Sequence, residues 1–216
     1  MNTKSIEKAI KELRANAKER KFKQSFDLIV TLKEINLKNN DEQVDFFVTL
    51  KHKLGKQVKV VALAGPELEE RAKKVCDLVI PQSDFNKYKD KKIQKKIASE
   101  YDFFIAQADI MPKVAAAFGR SLGPRGKMPN PKLGSIIPGK GNVEPLYEKL
   151  QKTVRVSAKK APMTQIKVGN EAMKDEEIIE NIELVYNQLV HHLPKEAGNV
   201  RSVLLKLTMS KPIKIE

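Results

Sequence analysis

The sequence predicts an α+β domain that is split in the chain, with an α/β domain of mostly parallel sheet inserted between its two parts. At both ends of the chain the predicted strands alternate apolar and polar residues, whereas the strands in the middle are apolar on both faces and alternate with helices. The second pattern is typical of a parallel sheet covered by helices. The predicted domains are residues 1–54 with 154–216, and residues 55–153.

The first part of the split domain is predicted to contain one helix and two strands. Apolar residues recur every three or four positions in residues 4–19, which is the period of a helix with one buried face. These residues are Ile6, Ile10, Leu13 and Ala17. Residues 26–37 alternate and are rich in Phe, Val, Ile and Thr, which favours a strand. Residues 44–50 predict a second strand.

The middle of the chain is predicted to alternate strands and helices. Its short, nearly continuous apolar runs indicate strands that are buried on both faces. The predicted strands are residues 58–64, 78–80 and 101–106. The predicted helices are residues 67–75, 89–99, 113–118 and 143–151.

The last part of the chain returns to alternating strands. Residues 153–158 and 165–168 predict two strands, and residues 201–209 predict the final one. Between them, residues 175–192 predict an amphipathic helix for which Asp175 is the expected N-cap. The apolar face of that helix consists of Ile178, Ile182, Val185 and Leu189.

Residues 119–141 predict a long, ordered, cationic loop. They hold six of the ten glycines and four of the eleven prolines, and no acidic residue. The five basic residues are Arg120, Arg125, Lys127, Lys132 and Lys140. Glycine allows close approach of the backbone to another surface, and proline fixes the path between glycines. We therefore expect this loop to face something anionic.

The charge balance favours a polyanionic partner. The chain has 41 Lys+Arg against 27 Asp+Glu, for a formal net charge of +14. Nucleic acid is the first expected partner, an anionic membrane the second, and a merely soluble basic surface the remaining alternative. Cys76 is the single cysteine, which argues against a disulfide framework and a cysteine-based zinc site. Without a signal sequence or a spanning apolar run, we expect a cytoplasmic protein.

Catalytic motifs are weak. Residues 134–140 fit the first part of a phosphate-binding loop, but Gly141 stands where magnesium binding needs Ser or Thr, and no strand is predicted directly before Gly134. His52, His191 and His192 form no arrangement with a nucleophile. The sequence therefore predicts no enzyme, no cofactor and no metal, with a nucleotide-binding α/β enzyme as the disfavoured alternative.

Three segments match the pattern of one known family. The first and most specific is Gly-Arg-Ser-Leu-Gly-Pro-Arg-Gly-Lys-Met-Pro-Asn-Pro-Lys, which begins at Gly119. The second is Leu-Gly-Lys-Gln-Val-Lys-Val, which begins at Leu54. The third combines Arg201-Ser-Val with Thr208-Met209 in the predicted final strand. Together they closely resemble the large-subunit ribosomal protein L1 family, in its archaeal form.

The resemblance implies a structural protein of the large ribosomal subunit with a Rossmann-like inserted domain. It implies binding of large-subunit rRNA at the mobile lateral stalk, close to the exit-site tRNA, by a protein that is monomeric when free and binds no membrane. It also implies repression of translation through a similar element in the protein's own mRNA.

The resemblance places the rRNA contacts chiefly on the split domain. The implied RNA-binding residues are Lys21, Phe22, Ser25, Lys167, Gly169, Ser202, Thr208, Met209 and Ser210. Secondary RNA or interdomain contacts are implied for the loop residues Arg120, Arg125, Lys127 and Lys132. From its own position between cations, Phe22 is expected either in the core or stacked on RNA.

Two segments depart from the family pattern. Ser210 stands where the family usually has glycine after Thr-Met, so its side chain would either weaken a close backbone contact with RNA or replace part of it. Leu-Lys-His-Lys-Leu-Gly, beginning at Leu50, replaces the usual Leu-Pro-His-Gly before the second domain. The geometry of that connection is therefore open at this stage.

Overall fold

The computed structural model describes residues 2–39, 42–139, 141–159 and 161–215. The chain divides into two compact units. One, the split unit, comprises Met1–Lys56 and Lys152–Glu216, and the other, the inserted unit, comprises Gln57–Gln151.

Helices and strands alternate along most of the described chain. The helices are α1 (Thr3–Ala15), α2 (Pro66–Val75), α3 (Lys91–Glu100), α4 (Met111–Leu122), α5 (Glu144–Leu150) and α6 (Asp175–His191). The strands are β1 (Ser25–Leu32), β2 (Val44–Thr49), β3 (Val60–Ala64), β4 (Leu78–Pro81), β5 (Phe103–Gln107), β6 (Ile136–Ile137), β7 (Thr153–Ala158), β8 (Met163–Asn170), β9 (Val200–Leu207) and β10 (Ile213–Lys214).

The split unit contains an antiparallel sheet with helices on one face. Its strand order is β10-β9-β1-β8, and β2 pairs with β7 in a separate antiparallel ribbon. Buried and half-buried residues alternate strictly along β1, so every second side chain enters the core. That core includes Ile6 and Ile10 of α1 and Ile178 and Ile182 of α6. The other face of the sheet carries the half-buried residues of β1.

The inserted unit contains a parallel sheet of order β4-β3-β5-β6. All five residues of β3 are buried, as expected for a central strand covered on both faces. The predicted fold class, a split α+β part with an inserted mostly parallel α/β part, is confirmed by these two kinds of sheet.

The predicted loop at residues 119–141 is wrong at its start. Helix α4 continues to Leu122, because Val114, Phe118 and Leu122 form one buried stripe that outweighs the helical cost of Gly119, about 1 kcal/mol. Within the same stretch, Pro131–Leu133 form one 3₁₀ turn and Ile136–Ile137 form the edge strand β6. The segment is therefore a connection with regular structure of its own.

Several predicted element ends are also wrong. Helix α1 ends at Ala15 rather than at residue 19. Strand β1 ends at Leu32 rather than at residue 37, and β9 ends at Leu207 rather than at residue 209. The N-cap of α6 is Lys174, and Asp175 is the first helical residue. The Asp175 carboxylate instead accepts a hydrogen bond from Arg14 Nε at 2.8 Å, which ties α6 to α1.

No helix in the described part of the chain is long and apolar enough to span a bilayer.

Candidate nucleic-acid interface

One end of the antiparallel sheet brings together residues that are far apart in the chain. At this end Ser25 pairs with Asn170, and β9 has just ended at Leu207. The Thr208 N–H donates to the Ser25 carbonyl at 3.1 Å, while the Ser25 N–H donates to Thr208 Oγ1 at 3.0 Å. Residues 208–210, which we call the recognition turn, are therefore anchored to the start of β1 through both backbone and side chain.

Two large apolar side chains stand in solvent beside this anchor. Phe22 is 51% exposed and Met209 is 60% exposed. The structure thus excludes a core position for Phe22, and its stacking on RNA stays a prediction. An apolar side chain that no core explains, on a surface rich in cations, is what a base or ribose contact requires.

Two clefts open next to these side chains, and the segment that joins α1 to β1 contributes to the lining of both. The larger, with a volume of ≈ 520 Å³, lies between that segment and the recognition turn, and Lys18, Arg20 and Lys211 line it together with Glu12. The smaller, of ≈ 390 Å³, is lined by residues 17–23 and by Glu171. Lys21 and Phe22 therefore border the second cleft, and Met209 borders the first.

Ser210 directs its hydroxyl toward its own backbone. The Leu207 N–H donates to Ser210 Oγ at 2.8 Å, and Ser210 Oγ lies 3.1 Å from the Lys211 carbonyl and 3.3 Å from the Leu207 carbonyl. The backbone of residue 210 is not in the left-handed region, so it does not require glycine. The side chain thus closes the turn.

Lys167 and Ser202 lie on the open face of the same sheet. Lys167 pairs with Asp27, which also pairs with Lys206 on the opposite neighbouring strand. Burial raises the pKa of the Asp27 carboxyl. A hydrogen bond from Gln165 and the positive charges of Lys206 and Lys167 lower this pKa, but by less than burial raises it.

Ser202 pairs with Thr31 of β1. Ser202 precedes Thr208 by six residues, a distance of about 20 Å in an extended chain. The implied residues therefore extend along the sheet from the recognition turn, and they do not form one small pocket.

Gly169 has a packing role in the split unit. A Cβ atom there would lie 3.0 Å from Ile178 Cγ1 of α6 and 3.3 Å from Met173 Sδ, so a larger residue would require these side chains to shift. Its backbone pairs with Phe26, beside a register shift between Phe26 and Asp27.

Two of the loop cations are engaged inside the inserted unit. Arg125 Nη1 donates to Ser99 Oγ at 2.6 Å and to the Lys95 carbonyl at 3.3 Å. Lys127 Nζ donates to the Tyr101 carbonyl at 2.6 Å, and burial lowers the pKa of this amine. Both cations therefore bind the carbonyl end of α3, where positive charge is favourable. Arg120 and Lys132 are exposed, and Lys140 lies outside the described residues.

The crevice where doubly wound sheets bind nucleotides is closed by side chains. That crevice lies at the carboxyl ends of β3 and β5, between Gly65 and Gln107. Gln107 Oε1 accepts a hydrogen bond from the Gly65 N–H at 2.9 Å, and a Cβ atom at Gly139 would collide with the Glu67 carboxylate. Glu67, in the first turn of α2, adds a negative charge near the helix end where a phosphate would bind. This geometry disfavours the nucleotide-binding alternative.

His52 and His192 each contact a neighbouring side chain. His52 Nε2 lies 3.3 Å from Glu180 Oε2, and the His192 ring stacks on Phe46 with centroids 3.8 Å apart. Among the described residues, no group of three His, Cys, Asp or Glu side chains is placed to hold a metal ion.

Four residues of this region carry no recognisable signal in the sequence: Arg14, Gln24, Asp27 and Glu171. Their positions matter because strand pairing and helix packing bring them to the same sheet end. Gln24 and Glu171 are 147 residues apart in the chain and still share three hydrogen bonds.

Comparison with known proteins gives one consistent family. The model of the Ribosomal protein L1p/L10e family matches residues 10–211. The chain is 43% identical to large ribosomal subunit protein uL1 of Methanothermococcus thermolithotrophicus, over 100% of both chains. It is 38% identical to the uL1 protein of Methanocaldococcus jannaschii over 100% of this chain and 97% of that one. It is 40% identical to the uL1 protein of Pyrococcus horikoshii over 98% of this chain and 95% of that one.

Proposed function

This chain belongs to the ribosomal protein L1p/L10e family, and from that premise we propose that it binds large-subunit rRNA through the end of its antiparallel sheet. Members of this family are structural ribosomal proteins and not enzymes, and this chain is one of them in the archaeal form. The observation that supports the proposed surface is the pair of exposed apolar side chains, Phe22 and Met209, beside the backbone-anchored recognition turn.

In this proposal, Phe22 and Met209 pack on bases or riboses, and Ser25 and Thr208 present hydroxyl and backbone groups to a folded RNA. Lys21 and Lys167 add phosphate contacts, and Ser202 extends the surface along the sheet. Shape and 2′-hydroxyl contacts then matter more than base edges. The affinity depends on salt, with log K falling by about 0.7–0.9 per log unit of salt for each phosphate that is neutralised.

The finer role follows the family resemblance of the three segments. The RNA is that of the mobile lateral stalk near the exit-site tRNA, and the same surface binds a stalk-like element in the protein's own mRNA. One surface with two RNA ligands makes repression a competition, in which free protein represses its mRNA only when rRNA is saturated. Exposed Arg120 and Lys132 are available for secondary contacts of the inserted unit.

A filter-binding titration tests this function directly. We expect the stalk rRNA fragment to bind much more tightly than an unrelated duplex of the same length, at one fixed salt concentration. An mRNA fragment with the stalk-like element is expected to displace the rRNA fragment. Equal affinity for the unrelated duplex would refute specific rRNA binding, and failure of displacement would refute the shared surface.

Replacing Ser210 with the family's usual glycine is expected to separate stability from binding. The Ser210→Gly variant loses a hydroxyl that closes the turn, so its free energy of unfolding is expected to fall by about 1 kcal/mol. Because that hydroxyl is turned into the protein, affinity for the stalk fragment is expected to stay within about threefold of wild type, which is about 0.7 kcal/mol. Urea unfolding and RNA titration give the two values. A tenfold loss of affinity would show that the hydroxyl contacts RNA.

A further inference from the structure

Gln24 is a buried polar residue in the middle of an exposed, cationic segment. Its neighbours Phe22 and Lys23 are exposed, whereas Gln24 itself is only 3% exposed. Burying an amide is unfavourable unless its hydrogen bonds are satisfied. The Gln24 amide therefore needs hydrogen-bond partners within the protein.

The partner of Gln24 on one side is Glu171, which directly follows β8. The Gln24 N–H donates to Glu171 Oε2 at 2.9 Å, and Gln24 Nε2 donates to Glu171 Oε1 at 2.9 Å. In return, the Glu171 N–H donates to the Gln24 carbonyl at 3.0 Å. Three hydrogen bonds thus join the two residues.

The partner on the other side is the recognition turn. The Met209 N–H donates to Gln24 Oε1 at 3.1 Å. A carboxylate has acceptors only, so Glu171 forces the amide nitrogen of Gln24 toward itself and leaves the amide oxygen for Met209. The orientation of the amide, and with it the position of Met209, is therefore set by the position of the Glu171 carboxylate.

Glu171 is itself held by Arg14 on the last turn of α1. Arg14 Nη1 donates to the Glu171 carbonyl at 2.8 Å and Nη2 donates to the Met173 carbonyl at 2.7 Å, while Nε binds Asp175. The guanidinium lies 5.5 Å from the centre of the Phe26 ring. Glu171 is thus fixed to both α1 and the start of α6.

We propose that Gln24 is a positioning residue for RNA recognition, oriented by Glu171 and acting through the backbone of Met209. This inference rests on the proposed function, since it assumes that the exposed Met209 side chain contacts RNA. Gln24 has no need to touch the RNA. It holds the amide of Met209 so that the side chain projects from the turn before RNA arrives, which reduces the entropy lost on binding.

The hydrogen-bond pattern permits a swap experiment. In Gln24→Glu, two carboxylates face each other and the acceptor for Met209 is displaced. In Glu171→Gln, an amide nitrogen faces Gln24 Nε2, and if Gln24 flips, its nitrogen then faces the Met209 N–H. In the double variant, the new amide at position 171 can donate to the new carboxylate at position 24 and accept from the backbone N–H of that residue. The second carboxylate oxygen at position 24 remains for Met209, so every donor again has an acceptor.

We expect each single variant to bind the stalk rRNA fragment about tenfold more weakly, and the double variant to recover to within about threefold of wild type. The amide chemical shift of Met209 should move in both single variants and return in the double variant. A merely structural role would change unfolding without this coupled recovery of affinity and chemical shift. Urea unfolding of each variant ensures that binding is compared between folded proteins.

Gln94→Glu is the matched control, because Gln94 is also buried and its amide also has fixed partners, the Tyr88 and Ala117 carbonyls of the inserted unit. The folded Gln94→Glu variant should bind the stalk rRNA fragment with wild-type affinity. If wild type binds the stalk fragment specifically and both single variants bind equally well, the positioning role is refuted. The positioning role is also refuted if the double variant loses as much affinity as the two single variants together. If wild type lacks specific binding, the proposed function fails instead.

Discussion

Truncating Phe22 to alanine is expected to weaken binding of the stalk rRNA fragment by about 5- to 150-fold, since stacking of an aromatic ring on a base contributes about 1–3 kcal/mol. Met209→Ala is expected to weaken the same binding, because it removes an apolar contact with a base or ribose. Both side chains are more than half exposed, so little core packing is lost with them. The free energy of unfolding is therefore expected to change by no more than about 0.5 kcal/mol. RNA titration at fixed salt and urea unfolding measure the two quantities on the same proteins.

Ile93 provides a control of the same kind at a different place. It is 40% exposed on α3 of the inserted unit, so Ile93→Ala also removes an exposed apolar side chain. We expect this variant to bind like wild type. Phe22→Leu then distinguishes stacking from apolar contact, because leucine keeps the hydrophobic area without the aromatic face. Wild-type affinity in both Phe22→Ala and Met209→Ala would place the RNA on another surface.

The fold class could be predicted from the sequence because burial imposes a period. Strand β1 is buried at every second residue, while β3 is buried throughout, and each leaves its own pattern of apolar residues. Two sheets of different kinds can therefore be distinguished without any knowledge of pairing.

The end of β9 could not be predicted in the same way. The alternation of residues continues to Met209, but the chain turns after Leu207 because Thr208 binds Ser25, 183 positions earlier. A contact over that distance leaves no local pattern. For the same reason Gln24 and Glu171 look like ordinary polar residues of connecting segments, although three hydrogen bonds join them.

For residues 119–141 the sequence pattern suggests more free positive charge than the structure leaves. The glycines, prolines and cations of this segment dominate the sequence and identify the family, so they suggest a main binding surface. Yet Arg125 and Lys127 bind carbonyls at the end of α3. Composition reports how many charges a segment has and not which of them already have a partner, and that is decided by the packing of the inserted unit.

Replacing Asn181 with leucine is expected to cause the largest loss of stability. Asn181 is fully buried on α6, and its Oδ1 accepts the His52 N–H at 3.1 Å. Its Nδ2 donates to the Val168 carbonyl at 3.0 Å and to the His52 carbonyl at 3.3 Å. Leucine has a similar volume but leaves these backbone groups without that partner, so the free energy of unfolding should fall by about 2–4 kcal/mol.

The effect should be concentrated where the chain leaves the split unit. Asn181 binds His52 only through backbone atoms, so this contact does not depend on which side chains stand at positions 51 and 53, where the segment departs from the family pattern. Urea unfolding gives the loss of stability, and faster amide exchange at His52 gives its location. Asn187→Leu, an exposed site on the same helix, should change stability by less than about 0.5 kcal/mol. If Asn181→Leu and Asn187→Leu have equal free energies of unfolding, Asn181 does not stabilise the segment around His52. Only at position 181 does leucine remove a buried hydrogen-bond partner of the backbone.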